Sequence, residues 1–114
     1  MKALVRTLAV CTLVALGVVI CTGASAAAAA PGQQAFLDLK CNNCHAVSSA
    51  SIEAKMKGPN AGPDLAGIGA KKDAAFLKDY IQGNKDLDGK KHKSAFKGTP
   101  QQLDDVVAWL ASLK

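Results

Sequence analysis

Five consecutive residues, Cys41-Asn42-Asn43-Cys44-His45, limit what this chain can become more than anything else in it. Two thiols three positions apart fall on one helical turn, and a histidine follows the second directly. Each thiol can add to a vinyl group of a haem, after which the adjoining imidazole meets the iron. The spacing therefore predicts one covalently bound haem, with Cys41 and Cys44 as the thioether sulfurs and His45 as the proximal iron ligand. Two other chemistries use similar residues. A thioredoxin-like dithiol wants a strand-helix-strand setting, and no alternating strand pattern is visible. A zinc site built from Cys41, Cys44 and His92 lacks an obvious fourth ligand, because His45 beside Cys44 is poorly placed to join the same tetrahedron.

The other two cysteines, Cys11 and Cys21, lie in a segment of different character. Lys2 and Arg6 precede an apolar run over 8–20, and Ala24-Ser25-Ala26 has the A-x-A form of a signal-peptidase site. Residues 1–26 read as a cleaved secretory signal peptide. The run is shorter than the roughly 20 apolar residues of a spanning helix, so no stable membrane insertion is expected after cleavage. A lipid-modified Cys21 is a further reading, weakened by bulky Ile20 before it. Removing 26 of the 114 residues leaves 88. Of these, 27–32 read as a flexible lead-in and 33–114 as one domain, placed in the periplasm or an equivalent exported compartment. A domain this small buries marginal surface by itself and usually needs a staple. Two cysteines with only two residues between them cannot supply a disulfide framework.

After the signal the chain keeps twelve lysines, no arginine and nine acids, a net of +3. With aromatics at 4% of the sequence, it lacks the bidentate and stacking groups that nucleic-acid readers depend on.

Periodicity predicts a short helix over 33–45 that ends in the Cys-His motif. Turn formers at Gly58-Pro59-Asn60 and Gly62-Pro63-Asp64 mark 46–69 as loop, with one helical turn around 52–57. Phe76, Leu77, Tyr80 and Ile81 predict a second helix over 73–82, stopped by Gly83, and 84–98 reads as another loop. The last helix is the clearest. Thr99 caps it, Pro100 suits its first position, Gln102 completes a capping box, and Leu103, Val106, Val107, Leu110 and Leu113 form one apolar stripe. The fold class is all-α, three main helices with long loops, and such loops are unusual unless they wrap something large and apolar.

Taken together, the mature chain resembles a small bacterial class I c-type cytochrome. That family has a first helix ending in CxxCH, a Gly-Pro-x-Leu loop, a middle helix, a loop bearing the sixth iron ligand and an aromatic-containing last helix, and all five occur here in order. The resemblance implies that Gly62-Pro63-Asp64-Leu65 is the family's loop, with Pro63 and Leu65 in the haem pocket and the Pro63 carbonyl accepting a hydrogen bond from His45. It also implies that Phe36 and Trp109 pack the first helix on the last.

The sequence departs from the family at the sixth ligand. No methionine follows Met56, which precedes the Pro63 loop and so belongs on the proximal side. His92 stands where the methionine would be, and a bis-histidine iron is expected. A second imidazole favours ferric iron, which predicts a low potential and an iron closed to small ligands at rest. The function expected is transfer of single electrons between redox partners, without catalysis. Lys71, Lys72, Lys90, Lys91, Lys93 and Lys97 fall in segments expected to border the haem, where they would steer a transient acidic partner. A haem sensor, with His92 off the iron, is the reading from a different class.

Overall fold

In the computed structural model the described residues are 29–114, so the signal peptide expected at 1–26 and Cys21 lie outside them. The architecture is three α-helices joined by long loops: α1 (Pro31–Asp38), α2 (Ala74–Ile81) and α3 (Pro100–Ser112), with single 3-10 turns at Cys41–Asn43, Ser48–Ala50 and Ile68–Ala70. Among the described residues there is no sheet, only two isolated bridges, Val47 with Ile52 and Leu87 with Lys90. The all-α expectation holds.

Helix α3 forms as its sequence dictates. The Thr99 hydroxyl accepts from the Gln102 amide N–H at 3.2 Å, while Gln102 Oε1 accepts from the Thr99 N–H at 2.9 Å, so two donors left free at the helix start are satisfied reciprocally. Leu103, Val106, Val107 and Leu110 on one face are buried, and Ala35 and Phe36 of α1 and Leu77 of α2 join them in one core. Phe36 and Trp109 meet edge to face with ring centroids 5.4 Å apart, as the resemblance implied. Helix α2 is capped by Asp73, whose carboxylate accepts from the Phe76 N–H at 2.7 Å, and it ends before Gly83 at φ 76°. The Lys78–Asp104 ion pair at 2.7 Å ties α2 to α3.

Three expectations need correction. Helix α1 starts at Pro31, inside the stretch read as a flexible lead-in, because proline suits a first helical position and Gly32 is buried where α1 crosses α3. A Cβ at Gly32 would collide with the Asp105 carbonyl and the Trp109 Cβ. Gly32→Ala should therefore destabilise the domain by about 1–3 kcal/mol through overpacking, despite alanine's better helix propensity. Thermal denaturation checks this, at roughly 4–8 °C per kcal/mol for a domain of this size.

The second correction is that α1 stops at Asp38 rather than running to residue 45. Lys40 takes a left-handed conformation, φ 58°, and the chain re-enters a 3-10 turn at Cys41. The third is that no helical turn forms over 52–57. Instead Val47 and Ile52 exchange backbone hydrogen bonds of 2.8 and 3.1 Å around the Ser48–Ala50 turn, which buries both side chains.

Candidate haem site

The two cysteines sit on one tight turn. Cys41 opens the 3-10 turn and its carbonyl accepts from the N–H groups of Cys44 at 3.2 Å and His45 at 2.9 Å, so sulfur, sulfur and imidazole are carried by a single loop of backbone. Both thiols are free and half-buried. Burial, with a further push from the neighbouring Cys44, raises the Cys41 pKa above its ordinary value, so this group is a neutral thiol at pH 7.

The loop that follows is laced onto the motif by four backbone hydrogen bonds: Lys55 to the Asn42 carbonyl, Met56 to Asn43, Gly62 to Cys44 and Leu65 to Ala46, at 2.8–2.9 Å. Met56 is thereby placed beside the cysteine turn, and its side chain is exposed. This lacing brings the Pro63 carbonyl within 2.9 Å of His45 Nδ1. A carbonyl only accepts, so Nδ1 carries the proton and Nε2 keeps its lone pair. Burial is the main cause that lowers the His45 pKa, the Pro63 bond opposes it and His92 adds to it. The ring is neutral at pH 7, the form that binds metal.

Gly62 does more than turn the chain. A Cβ there would stand within van der Waals radius of the His45 ring atoms, 2.5 Å from Nδ1 and 2.9 Å from Nε2. The missing side chain lets the backbone lie against the imidazole face. No sequence signal separates this use of glycine from an ordinary turn.

Asp64 holds the loop from the outside. One carboxylate oxygen accepts from the N–H groups of Ser48 at 3.1 Å and Ala66 at 2.9 Å. These bonds, with Ala66 the largest, hold its pKa below the usual carboxylate range. A depressed native pKa stabilises the fold above the ordinary aspartate value of about 3.9, and the contribution disappears as pH falls through the native value. Asp64→Asn should flatten the pH dependence of the melting temperature in that acid window, with a lower melting temperature than the parent near pH 7 and a difference that closes as the pH falls, as a series of thermal melts will show.

His92 lies on the loop between α2 and α3. Its Nδ1 donates to the Ser94 carbonyl at 2.7 Å, so Nε2 is the ring nitrogen not taken up in that bond. Its ring lies 6.0 Å from that of His45, centroid to centroid, with the planes 14° apart. The site residues named from sequence are thus gathered: Cys41, Cys44, His45 and Pro63 in one unit, Leu65 half-buried against the core, and His92 opposite His45. Among the described residues, no three His, Cys, Asp or Glu side chains cluster as a metal-binding group.

The lysines are less uniform than their sequence positions suggest. Lys71, Lys90, Lys91, Lys93 and Lys97 are exposed, whereas Lys72 places its ammonium 4.5 Å from the centre of the Phe76 ring. Lys85, not singled out from sequence, does the same at 5.2 Å.

The donor set fits covalent haem. Two thiols on one turn would supply the sulfurs for vinyl addition, and a neutral imidazole fixed through Nδ1 would ligate the iron. An all-α domain whose loops surround such a set is a c-type cytochrome with a single haem c. The chain belongs to the cytochrome c family, whose profile matches residues 29–114, the whole of the described domain. No curated protein and no solved structure matches the chain significantly. The family's proteins carry electrons, and they are not enzymes.

Proposed function

We propose that this cytochrome is an exported, low-potential carrier whose haem iron is held between two histidines, His45 and His92. The carrying observation is the pairing of the two rings. Imidazole–metal bonds of about 2.0–2.1 Å, with ring centres about 1.1 Å behind each ligating nitrogen, put two trans imidazoles roughly 6.3 Å apart. The separation of 6.0 Å lies within a few tenths of that figure. In both histidines a backbone carbonyl takes the Nδ1 proton and leaves Nε2 free.

The haem supplies a one-electron iron couple, and the chain's residues set how that couple behaves. Cys41 and Cys44 tether the ring. Pro63 and Gly62 fix the plane of His45, and the Pro63 bond makes its imidazole a stronger donor. Leu65 with Pro63 walls the pocket. A second imidazole at His92 in place of a thioether would lower the potential of a haem held there. The lysines of the two loops favour a transient partner with an acidic face.

Export rests on the composition of residues 1–26, and the periplasm is the compartment proposed. No helix among the described residues is long and apolar enough to cross a membrane. The test is a near-infrared spectrum of the oxidised protein together with carbon monoxide addition to the reduced protein. A bis-histidine band and slow, incomplete carbon monoxide binding at neutral pH are expected. A histidine-methionine band, or rapid and complete binding as in a gas sensor, would reject the proposal.

A further inference from the structure

His92 is held by two contacts of different reach. The bond to Ser94 spans two residues, so it fixes the tautomer but not where the loop stands relative to the domain. The other contact comes from α2. The rings of Tyr80 and His92 meet edge to face, 5.6 Å apart and at 78°.

Tyr80 is itself held in orientation. Phe76 lies one helical turn earlier with its ring 5.9 Å away and 15° from parallel, and Lys72 and Lys85 place ammonium groups over Phe76. Leu77, on the buried face of the same helix, roots α2 in the core. A continuous series of rings therefore runs from α2 to the imidazole of His92.

We infer that Tyr80 is a positioning residue for the iron: its ring fixes the plane of His92, and thereby the near-parallel arrangement of the two imidazoles. The inference rests on the bis-histidine reading and adds to it the element that controls ligand orientation. The His45 plane is set independently, by Pro63 and Gly62. Two rings that belong to different loops and stand 14° from parallel need a constraint on each. Tyr80 is the ring that restrains His92 from a helix. Its hydroxyl has no part in this; the aromatic ring does.

The angle between axial imidazole planes governs the anisotropy of a low-spin ferric haem, so electron paramagnetic resonance of the oxidised holoprotein reads it. Near-parallel planes give a rhombic signal, and planes turned far apart give one very large g value. The parent is expected to be rhombic. Tyr80→Phe should keep the parent signal, because the ring remains. Tyr80→Leu should shift the signal toward larger anisotropy and speed cyanide binding about tenfold, equivalent to about 1.4 kcal/mol, the upper range of an edge-to-face aromatic pair.

Unchanged g values and an unchanged cyanide rate in Tyr80→Leu, with parent-like far-ultraviolet circular dichroism, would overturn the inference. Should that variant fail to take up haem, Phe76→Leu carries the test. It should shift the g values in the same direction by less, and no shift there would also overturn it. A histidine-methionine spectrum in the parent rejects the bis-histidine reading as well, and is seen before any variant is made.

Discussion

Replacing Cys41 and Cys44 together by alanine should yield a chain that neither retains haem nor folds. Only ten apolar residues are buried in the described domain, and most of them lie where α1, α2 and α3 meet. A second set, including Leu39, Leu65, Ile68, Ile81 and Phe96, is only partly buried against them. A polypeptide of this length buries marginal apolar surface without help, and domain stabilities of about 5–15 kcal/mol leave little to lose. The long loops over 44–67 and 82–99 contribute three hydrogen-bonded turns and few buried groups of their own. The covalent haem is what gives them something to order against. Far-ultraviolet circular dichroism of the double variant should lose its helical minima at 25 °C, while Cys44→Ala alone, with one thioether left, should retain haem with lower thermal stability. A double variant with parent-like helicity and no haem would show that the protein interior suffices.

The second large effect is on the redox couple. His92→Met should raise the potential by on the order of 0.2 V, a quarter of the roughly 0.8 V over which axial ligation moves haem iron. At 59 mV per decade for one electron this is about three orders of magnitude in the redox equilibrium. Imidazole donates more strongly and stabilises ferric iron, whereas a thioether favours ferrous iron. Protein-film voltammetry measures it directly. An unchanged potential would remove His92 from the iron.

The parts of the fold that were legible in the sequence are those fixed by local chemistry. Thr99, Pro100 and Gln102 state where α3 begins, and its stripe states which face is inside. The spacing of Phe76, Leu77, Tyr80 and Ile81 marks α2, and Gly83 states where it stops. What was not legible depended on conformations that residue type does not announce. The end of α1 turns on Lys40 adopting a left-handed conformation, which a lysine seldom does. Pro31-Gly32 looked like a lead-in because the reason for glycine there is the approach of α3, a tertiary fact. The loop before α3 did carry one readable signal. Asp88-Gly89, at φ 52° and 73°, forms a primed hairpin turn between Leu87 and Lys90, and an Asp-Gly pair is the usual composition for it.

The candidate site divides along the same line. Cys41, Cys44 and His45 follow from spacing alone, because their chemistry requires adjacency in sequence. Pro63 and His92 lie 18 and 47 positions from His45 and came from the resemblance and from the lack of another donor. Gly62 and Tyr80 act through contact, one by leaving room and the other by filling it. Neither leaves a mark that distinguishes it from a turn glycine or a core aromatic.

The most direct check on the whole account is the intact mass of protein purified from a host able to attach haem. The expected result is the mass of the polypeptide plus a single haem, carried on the peptide that contains Cys41 and Cys44. An unmodified polypeptide with both thiols free to react would contradict it.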